Sequence, residues 1–328
     1  MPGRSDLAPV HPMIQDDLLE YLRKKQSFVS GDELSRHLHI SRAAAWKHIL
    51  QLRGLGYDIA SVPHLGYQLA ACPDRLYPAE VRSGLRTRLI GRVVHYFDHV
   101  ASTMDTAMRF AQDGAVEGTV VIAETQTRGR GRLGRLWASP KYKGIYCSVI
   151  VRPDTAAAGV APITLMAAVS VCAAVRRSAG LDAQIKWPND ILLDNKKLGG
   201  ILTEMNGSLD RVNYVIIGIG INVNDAPAEG ATSLAKQSCR HESRAALMQE
   251  LLRQIEQYYM RFRKQDLMSI LEAWRQCSAT LGRRVRIDMR SSRIDGTAVD
   301  IDADGGLLVR RDSGIIEKVL AGDVVHCR

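Results

Sequence analysis

The spacing of apolar residues at the start of the chain predicts two helices. Ile14, Leu18 and Leu22 recur at helical intervals and are followed by a basic cluster, which favours the C-terminal end of a helix. Ser30 stands three residues before Glu33, which is the pattern of a capping box. We therefore expect a first helix that ends in the basic cluster and a second, short helix after Ser30.

A third helix is predicted to begin after Ser41, whose hydroxyl group is suited to cap it. Ala45, Ile49 and Leu52 fall on one stripe of this helix, which a core would bury. The residues nearer the exposed side are Arg42, Trp46, Lys47 and Gln51. Two short helices joined by a tight turn form a helix-turn-helix.

Residues 58–71 alternate around the turn "PHLG" and predict a β-hairpin, which makes the module a winged helix-turn-helix. The second helix of such a module enters the major groove of DNA. The DNA contacts that we expect are therefore Ser41, Arg42, Ala43, Trp46 and Lys47. A three-helix packing unit without DNA is the alternative. Residues 14–70 carry seven basic and six acidic residues, so tight DNA binding favours a dimer over a monomer.

Beyond a proline-containing boundary at 72–81, strands and helices alternate. We predict strands within 92–100, 118–124, 144–151, 183–193, 196–205 and 211–223, and helices at 102–114, at 162–179 and across 244–274. This order indicates a mixed α+β domain with a largely antiparallel sheet. From Cys277 onward, short strands with Asp-Gly and Gly-Gly turns predict a small β-barrel. We place the domains at 1–72, 80–275 and 276–328.

Positive charge is concentrated in one stretch of the chain. The net charge is +9, and residues 128–143 contain six basic residues and no acidic one, which favours a polyanionic partner. The six cysteines lack C-x-x-C spacing, so we predict reduced thiols, several of them in the core, and neither a zinc site nor a disulfide framework. The apolar run 163–175 is too short to span a bilayer, so we expect a cytoplasmic protein without a membrane partner.

The stretch "QTRGRGRLGR" (126–135) matches the G-x-G-x-x-G pattern of a dinucleotide-binding turn. That turn requires a helix at its third glycine, but Pro140 and Gly144 prevent a helix here. Glycines interspersed with arginines instead favour a mobile loop whose N–H groups and guanidinium groups bind phosphate oxygens. A flexible basic loop that binds nothing specific, or binds nucleic acid without specificity, is the alternative.

Three later stretches favour a binding site. "KWPND" (186–190) groups a cation, an indole, an amide and a carboxylate around a proline that fixes a turn. "KKLGGILTE" places Lys197 beside two glycines at the start of a strand, where an ammonium group can meet a carboxylate or an α-phosphate. "GIGIN" permits close approach at its glycines, and Asn222 offers an amide suited to a purine edge.

Five motifs together resemble those of biotin protein ligases, in the same order and at the same spacing. They are "STMD" (102–105), "QTRGRGRLGRLW" (126–137), "KWPNDILL", "KKLGGIL" and "GIGINV". The segments "SGDELSRHLHISRAAAWKHI" and "VPHLGYQL" resemble those of the bifunctional bacterial form, a biotin ligase that is also the biotin operon repressor. The resemblance covers nearly the whole chain, from Ile14 to the C-terminal barrel.

The resemblance implies a two-step reaction. Biotin's carboxylate attacks the α-phosphorus of MgATP to give biotinyl-5′-adenylate and pyrophosphate, and a lysine of a biotin carboxyl carrier protein of acetyl-CoA carboxylase then attacks the mixed anhydride. The reaction needs no enzyme nucleophile, so catalysis consists mainly of positioning and charge stabilisation. The family also implies a homodimer that forms with bound adenylate and binds biotin operon operator DNA.

The resemblance also implies roles for individual residues. The biotin-binding residues are Ser102, Thr103, Met104, Gln126, Arg130, Gly131, Arg132 and Lys197, with backbone groups serving at Arg130 and Gly131. The catalytic residues, which neutralise the carboxylate and phosphates or orient the attack, are Arg132, Lys186, Asp190 and Lys197. The adenylate-binding residues are Arg135, Trp137, Asn189 and Asn222. No metal ligand is assigned.

Three positions depart from the family pattern. Met104 stands where asparagine is common, Leu133 replaces a basic residue, and Trp46 lies on the expected recognition helix. Three alternative functions remain at this point. They are a ligase without a working repressor function, a winged-helix regulator with an inactive catalytic domain, and a lipoate ligase. Arg132, Lys186 and Lys197 argue against an inactive domain, and the arginine-glycine loop argues against a lipoate ligase.

Overall fold

The computed structural model describes residues 13–288, 293–320 and 322–326. The chain divides into two compact units, Met1–Gly84 and Leu85–Arg328. Residues 1–12 of the predicted first domain, Met289 of a predicted C-terminal strand and Cys327 lie outside the described residues.

The first unit consists of short helices and one hairpin. Its elements are α1 (Met13–Lys25), α2 (Gly31–Leu38), α3 (Arg42–Gly54), β1 (Asp58–Val62), β2 (Gly66–Ala71) and α4 (Pro78–Arg82). Ser30 and Ser41 cap α2 and α3 as predicted, because each hydroxyl oxygen accepts a hydrogen bond from the backbone N–H three residues later, at 3.1 Å. The predicted apolar stripe of α3 is buried.

The hairpin of β1 and β2 is antiparallel, and it is joined to the helices through Val29. Val29 and Tyr67 exchange two backbone hydrogen bonds of 2.8 Å each. Gly66 has a φ of +106°, and a Cβ atom there would lie 2.0 Å from the carbonyl oxygen of Val29. Only glycine therefore permits the hairpin to approach this closely.

The second unit is built on a seven-stranded sheet with the order β3-β4-β5-β9-β8-β7-β6. The strands are β3 (Val94–Phe97), β4 (Val120–Ala123), β5 (Gly144–Val151), β6 (Gln184–Lys186), β7 (Asp190–Leu193), β8 (Lys196–Gly207) and β9 (Val212–Asn222). The β3–β4 pair is parallel, and the other five pairs are antiparallel, as the predicted largely antiparallel sheet requires.

Helices of the same unit pack against this sheet. They are α5 (Thr103–Gln112), α6 (Ala161–Ala179), α7 (Leu234–Ser238), α8 (Arg244–Arg263) and α9 (Leu267–Cys277). Arg244 at the start of α8 forms a fully buried ion pair of 2.5 Å with Glu124, just after β4. Arg244 also donates a hydrogen bond of 3.2 Å to the carbonyl oxygen of Gly144. These contacts anchor the end of β4 from which the arginine-glycine loop departs.

The helix α6 is apolar enough to resemble a membrane span. The helical segment Ala157–Ala179 is long enough to cross a bilayer, so the shortness of the apolar run does not by itself exclude a span. Of its most apolar window, 67% is buried inside the protein, as is typical of a core helix. It packs against α8 and α9 as a core helix.

The C-terminal region forms a five-stranded antiparallel sheet with the order β13-β12-β11-β10-β14. Its strands are β10 (Arg284–Asp288), β11 (Arg293–Ile301), β12 (Leu307–Arg310), β13 (Ile316–Val319) and β14 (Asp323–His326). Every second residue of β10 is buried, and so are Ile294, Gly296 and Ala298 of β11 up to the bulge between Ala298 and Asp300, which is the pattern of a sheet with one face on a core.

The single strand predicted over residues 183–193 is wrong. The chain turns at Trp187, Pro188 and Asn189, and the two halves pair as β6 and β7, with Lys186 opposite Asp190. Proline has no N–H to give to a strand ladder, so an interrupted strand is the physical consequence of its position. The peptide bond between Trp187 and Pro188 is cis.

Candidate active site

A cavity of about 450 Å³ lies in the second unit, where α5, the arginine-glycine loop and β6–β9 meet. The residues on its wall come from all five motifs of the central domain. The wall includes most of the residues that were predicted to bind biotin or adenylate or to take part in catalysis. They are Thr103, Met104, Gln126, Arg130, Gly131, Arg132, Arg135, Trp137, Lys186, Asn189, Asp190 and Lys197. The structure thus brings together residues that are up to 94 positions apart, from Thr103 to Lys197.

Two predicted site residues do not line this cavity. Ser102 is fully buried as the N-cap of α5, and its hydroxyl oxygen accepts from the N–H of Asp105. Asn222 is 4% exposed at the end of β9, and its amide nitrogen donates 3.1 Å to the carbonyl oxygen of Thr232. Both side chains therefore form hydrogen bonds that stabilise the local backbone, and neither lies on the cavity wall.

Thr103 and Gln126 on the cavity wall belong to a group of uncharged polar side chains joined by hydrogen bonds. The side-chain oxygen of Gln126 accepts from the N–H and the hydroxyl group of Thr103, at 2.9 and 3.1 Å. The side-chain nitrogen of Gln126 donates to Ser139 Oγ at 3.0 Å. Ser148 Oγ donates to Thr103 Oγ1 at 2.9 Å. Neither Ser139 nor Ser148 was predicted as a site residue. A hydroxyl group at Ser148, within an otherwise apolar strand, could have indicated a role for that residue.

The arginine-glycine loop carries a 3₁₀ turn over Arg132–Gly134 where the dinucleotide pattern would need an α-helix. Arg130 is held by two carboxylates, those of Asp105 on α5 and Glu204 on β8. Leu133, the departure from the basic pattern, has a φ of 55° and is 64% exposed. The side chain of Leu133 therefore points into solvent.

The cavity is also lined by the cations Arg132, Lys186 and Lys197. Lys197 Nζ lies 2.6 Å from Asp190 Oδ1 and 5.7 Å from the centre of the Trp137 ring. Arg132 donates to the side-chain oxygen of Asn189 at 3.2 Å and to the carbonyl oxygen of Gly322 at 3.4 Å. Cations on the wall of one cavity are suited to neutralise a bound carboxylate or phosphate.

The indole of Trp137 rests on two glycines that face each other across β8 and β9. Gly200 and Gly220 are register partners. A Cβ atom on Gly220 would lie 2.5 Å from Trp137 Cε2, and one on Gly200 would lie 3.3 Å from Cζ3. Trp137 Nε1 is buried without a hydrogen-bond partner among the described residues. The ring therefore forms a flat wall with an unused donor.

Met104 fills a similar glycine slot. Its side chain is 3% exposed, and a Cβ atom on Gly218 would lie 2.4 Å from its sulfur. Met104 thus packs on β9 beside the cavity. Next to it, burial raises the pKa of the Cys147 thiol to about 12, so the thiol on this wall is neutral.

The C-terminal sheet supports the "KWPND" turn through contacts that the sequence did not predict. Thr280 Oγ1 accepts from the N–H of Trp187 at 3.0 Å and lies 3.2 Å from His326 Nε2. Trp187 Nε1 donates to the carbonyl oxygen of Gly305 at 3.1 Å. Burial, followed by the charges of Lys186 and Arg283, lowers the pKa of His326 to about 4.

The first unit presents α3 as a partly apolar surface. Trp46 is 53% exposed and Leu50 is 41% exposed, one helical turn apart. Arg42 lies 3.3 Å from Asp32, and Arg53 donates to the carbonyl oxygen of Ile59 at 2.6 Å. Ser41, Ala43 and Lys47 are exposed on the same helix.

Comparison with known proteins agrees with this architecture. Residues 96–222 match the biotin/lipoate A/B protein ligase family, residues 15–68 match an HTH domain, and residues 280–327 match the biotin protein ligase C-terminal domain. Biotin protein ligase from Aquifex aeolicus, solved in complex with biotin and ATP, is similar with a TM-score of 0.63. Its identity is 27%, over 72% of this chain and 99% of that chain.

Two curated relatives are similar over nearly the whole chain. The bifunctional ligase/repressor BirA of Bacillus subtilis is 38% identical over 319 residues, which are 95% of this chain and 98% of that protein. The corresponding protein of Escherichia coli is 31% identical over 306 residues, 90% of this chain and 92% of that protein. The chain therefore belongs to the family of bifunctional ligase/repressor BirA proteins.

Proposed function

We propose that this protein activates biotin with ATP and transfers it to a lysine of the biotin carboxyl carrier protein of acetyl-CoA carboxylase. The observation that carries the proposal is one cavity lined both by neutral polar groups, at Thr103 and Gln126, and by cations, at Arg132, Lys186 and Lys197. Biotin has a neutral ureido ring at one end and a carboxylate at the other. The lining therefore offers polar partners for the ureido ring and cations for the carboxylate of this substrate.

The chemistry assigned to the cavity is adenylation. Biotin's carboxylate oxygen forms a bond to the α-phosphorus of MgATP, and the bond to pyrophosphate breaks. Arg132, Lys186 and Lys197 would stabilise the charge that moves to the leaving pyrophosphate, with Asp190 orienting Lys197 at 2.6 Å. Trp137, Arg135 and Asn189 would hold the adenosine part. Magnesium enters as part of the nucleotide substrate.

Transfer follows when the carrier lysine attacks the mixed anhydride and AMP leaves. Closure of the arginine-glycine loop would keep water from the anhydride until that lysine arrives. The glycines of the loop permit this movement, and its arginines contact the negatively charged intermediate.

We further propose that the first unit represses biotin synthesis genes with biotinyl-5′-adenylate as corepressor. The match of residues 15–68 to an HTH domain supports this role, and β1–β2 would be the wing of a winged helix-turn-helix. Ser41, Arg42, Ala43, Trp46 and Lys47 would contact the operator. A homodimer would place two units on two half-sites, which offsets the near-neutral charge of each unit.

We also propose three domains, a closed C-terminal barrel and a cytoplasmic location. The domains would be 1–72, 80–275 and 276–328, and the five C-terminal strands would close into a small barrel. A protein that binds operator DNA and labels a carboxylase subunit would act in the cytoplasm.

One preparation tests both halves of the proposal. Purified protein, biotin, MgATP and unbiotinylated carrier should release pyrophosphate and label the carrier lysine. In a gel shift with operator DNA, biotin and ATP should strengthen binding, and unbiotinylated carrier should weaken it by consuming the adenylate. A protein that labels the carrier but does not bind operator at physiological salt would be a ligase without repressor function. Absence of pyrophosphate release would refute the ligase itself.

A further inference from the structure

Four side chains form a continuous run of hydrogen bonds, of which two members line the cavity. Ser148 Oγ lies 2.9 Å from Thr103 Oγ1, which lies 3.1 Å from Gln126 Oε1. Gln126 Nε2 lies 3.0 Å from Ser139 Oγ, which lies 3.3 Å from the carbonyl oxygen of Trp137. Thr103 and Gln126 line the cavity, whereas Ser148 is fully buried on β5 behind them.

One backbone group sets the donor and acceptor directions along this run. The N–H of Thr103 lies 2.9 Å from the same Gln126 atom as the Thr103 hydroxyl. A backbone N–H can only donate, so that atom is the amide oxygen of Gln126. The Thr103 hydroxyl must also donate to this oxygen, since an amide oxygen only accepts. Ser148 consequently donates to Thr103, and the Gln126 nitrogen donates to Ser139.

The run leaves one acceptor and one donor for the cavity. Thr103 Oγ1 has given its proton to Gln126 and has accepted one from Ser148, so one lone pair remains. Gln126 Nε2 has used one of its two hydrogens on Ser139, so one N–H remains. A cyclic urea carries an N–H and a carbonyl oxygen side by side, which complements this pair.

We propose that Ser148 is a positioning residue for the ureido group of biotin and acts through Thr103. Its hydroxyl hydrogen occupies one lone pair of Thr103 Oγ1 and thereby keeps the Thr103 proton directed at Gln126. Without it, the Thr103 hydroxyl is free to turn its proton toward the ligand and to present a donor opposite the ligand's own N–H. This inference rests on the proposed ligase function.

The test is a double-mutant cycle on the full-length protein, read by calorimetric titration with biotin. Ser148→Ala should weaken biotin binding by about ten-fold, the order expected when a buried hydrogen bond is lost. The KM for ATP should stay within two-fold. Ser148→Cys, which keeps a weak donor, should recover part of the affinity. In a Thr103→Val background, Ser148→Ala should cost nothing further, because the group through which Ser148 acts is gone.

Ser170→Ala is the matched control, because Ser170 is equally buried and its hydroxyl donates 2.8 Å to the carbonyl oxygen of Met166 within α6. It should leave biotin affinity unchanged. If Ser148→Ala lowered biotin affinity by the same factor in the wild-type and Thr103→Val proteins, the positioning role would be overturned. A purely structural defect would have the same effect in both backgrounds. Failure of the wild-type protein to bind biotin would instead refute the proposed function.

Discussion

Lys197 and Lys196 are neighbours on β8, and their side chains have different surroundings. Lys197 lines the cavity and pairs with Asp190, while Lys196 is exposed and lies outside the cavity wall. This alternation follows from the strand itself, whose successive side chains point to opposite faces. Position on the strand therefore separates a cation on the cavity wall from an exposed one.

We predict that Lys197→Gln lowers the rate of biotin-dependent pyrophosphate release by about 100-fold or more. A single preorganised group that stabilises transition-state charge typically contributes a factor of that order. Lys196→Gln, the matched control, should stay within two-fold of the wild type. If the two variants lost activity equally, the loss would have to come from general damage to β8.

At the scale of elements, the site depends on the close packing of the loop against β8 and β9. The glycine pair Gly200 and Gly220 leaves room for the indole of Trp137, which would otherwise collide with side chains on the sheet. Strand and loop are therefore fitted to each other, and neither the strand sequence nor the loop sequence can change alone without disturbing the wall.

We predict that Gly220→Ala raises the KM for ATP by roughly ten-fold. The added methyl group would lie 2.5 Å from Trp137 Cε2 and would displace the ring from the wall. Gly54→Ala is the control, because no atom lies within 4 Å of the Cβ position there. In a Trp137→Ala background, Gly220→Ala should have little effect. A full additional effect in that background would show that the strand, and not the ring, is disturbed.

His326 on β14 contacts Thr280, which in turn accepts a hydrogen bond from the "KWPND" turn, and this histidine makes stability depend on pH. Burial holds the pKa of His326 at about 4 in the folded protein, below its ordinary value of 6.5. The unfolded chain therefore binds a proton between these values that the folded chain does not, so the free energy of unfolding falls as pH drops from 6.5 toward 4.

We predict that His326→Gln flattens this decline, measured as the urea midpoint at pH 7 and at pH 5. His99→Gln, at an exposed position, should leave the slope as it is. Burial also lowers the pKa of His95, so part of the slope should persist in the His326 variant. An unchanged slope in His326→Gln would mean that this histidine does not carry the effect.

At the scale of the whole molecule, the two functions are assigned to different units. Every residue on the cavity wall belongs to Leu85–Arg328, and the proposed operator contacts belong to Met1–Gly84. The surface of α3 offers an exposed indole and leucine, while two of its arginines make contacts within the unit. Apolar side chains of this kind recognise the C5-methyl group of thymine in the major groove.

We predict that Trp46→Ala weakens operator binding by at least ten-fold and leaves carrier biotinylation within two-fold of the wild type. Replacing the thymines of the operator half-sites with deoxyuridine should weaken binding by the wild-type protein and have little further effect on Trp46→Ala. Gel shifts at fixed salt measure both. Equal sensitivity of the two proteins to deoxyuridine would exclude Trp46 as the methyl contact.

Local chemistry explains what could be predicted from the sequence. The caps at Ser30 and Ser41 depend on residues three positions apart, and the strand 144–151 depends on one apolar run, so neither required long-range information. The cavity motifs were also recoverable, because each motif is continuous in the chain.

Contacts between distant segments could not be predicted in this way. The carboxylates that hold Arg130 come from α5 and β8, and their meeting depends on the register of the folded sheet. Asn222 carries a suitable amide, yet the end of β9 directs it to Thr232 and away from the cavity wall. Residue type thus indicated the chemistry, while strand register decided which side chains reach the cavity.

The helix α6 has a consequence for synthesis of the protein. Its apolar face is covered by α8, which begins only at Arg244, so the ribosome must add the intervening strands first. At about 5–20 residues per second, the nascent chain exposes a helix with the composition of a membrane span for several seconds. We expect chaperones to bind this apolar segment during that interval. The order of elements along the gene therefore leaves α6 uncovered until α8 has been synthesised.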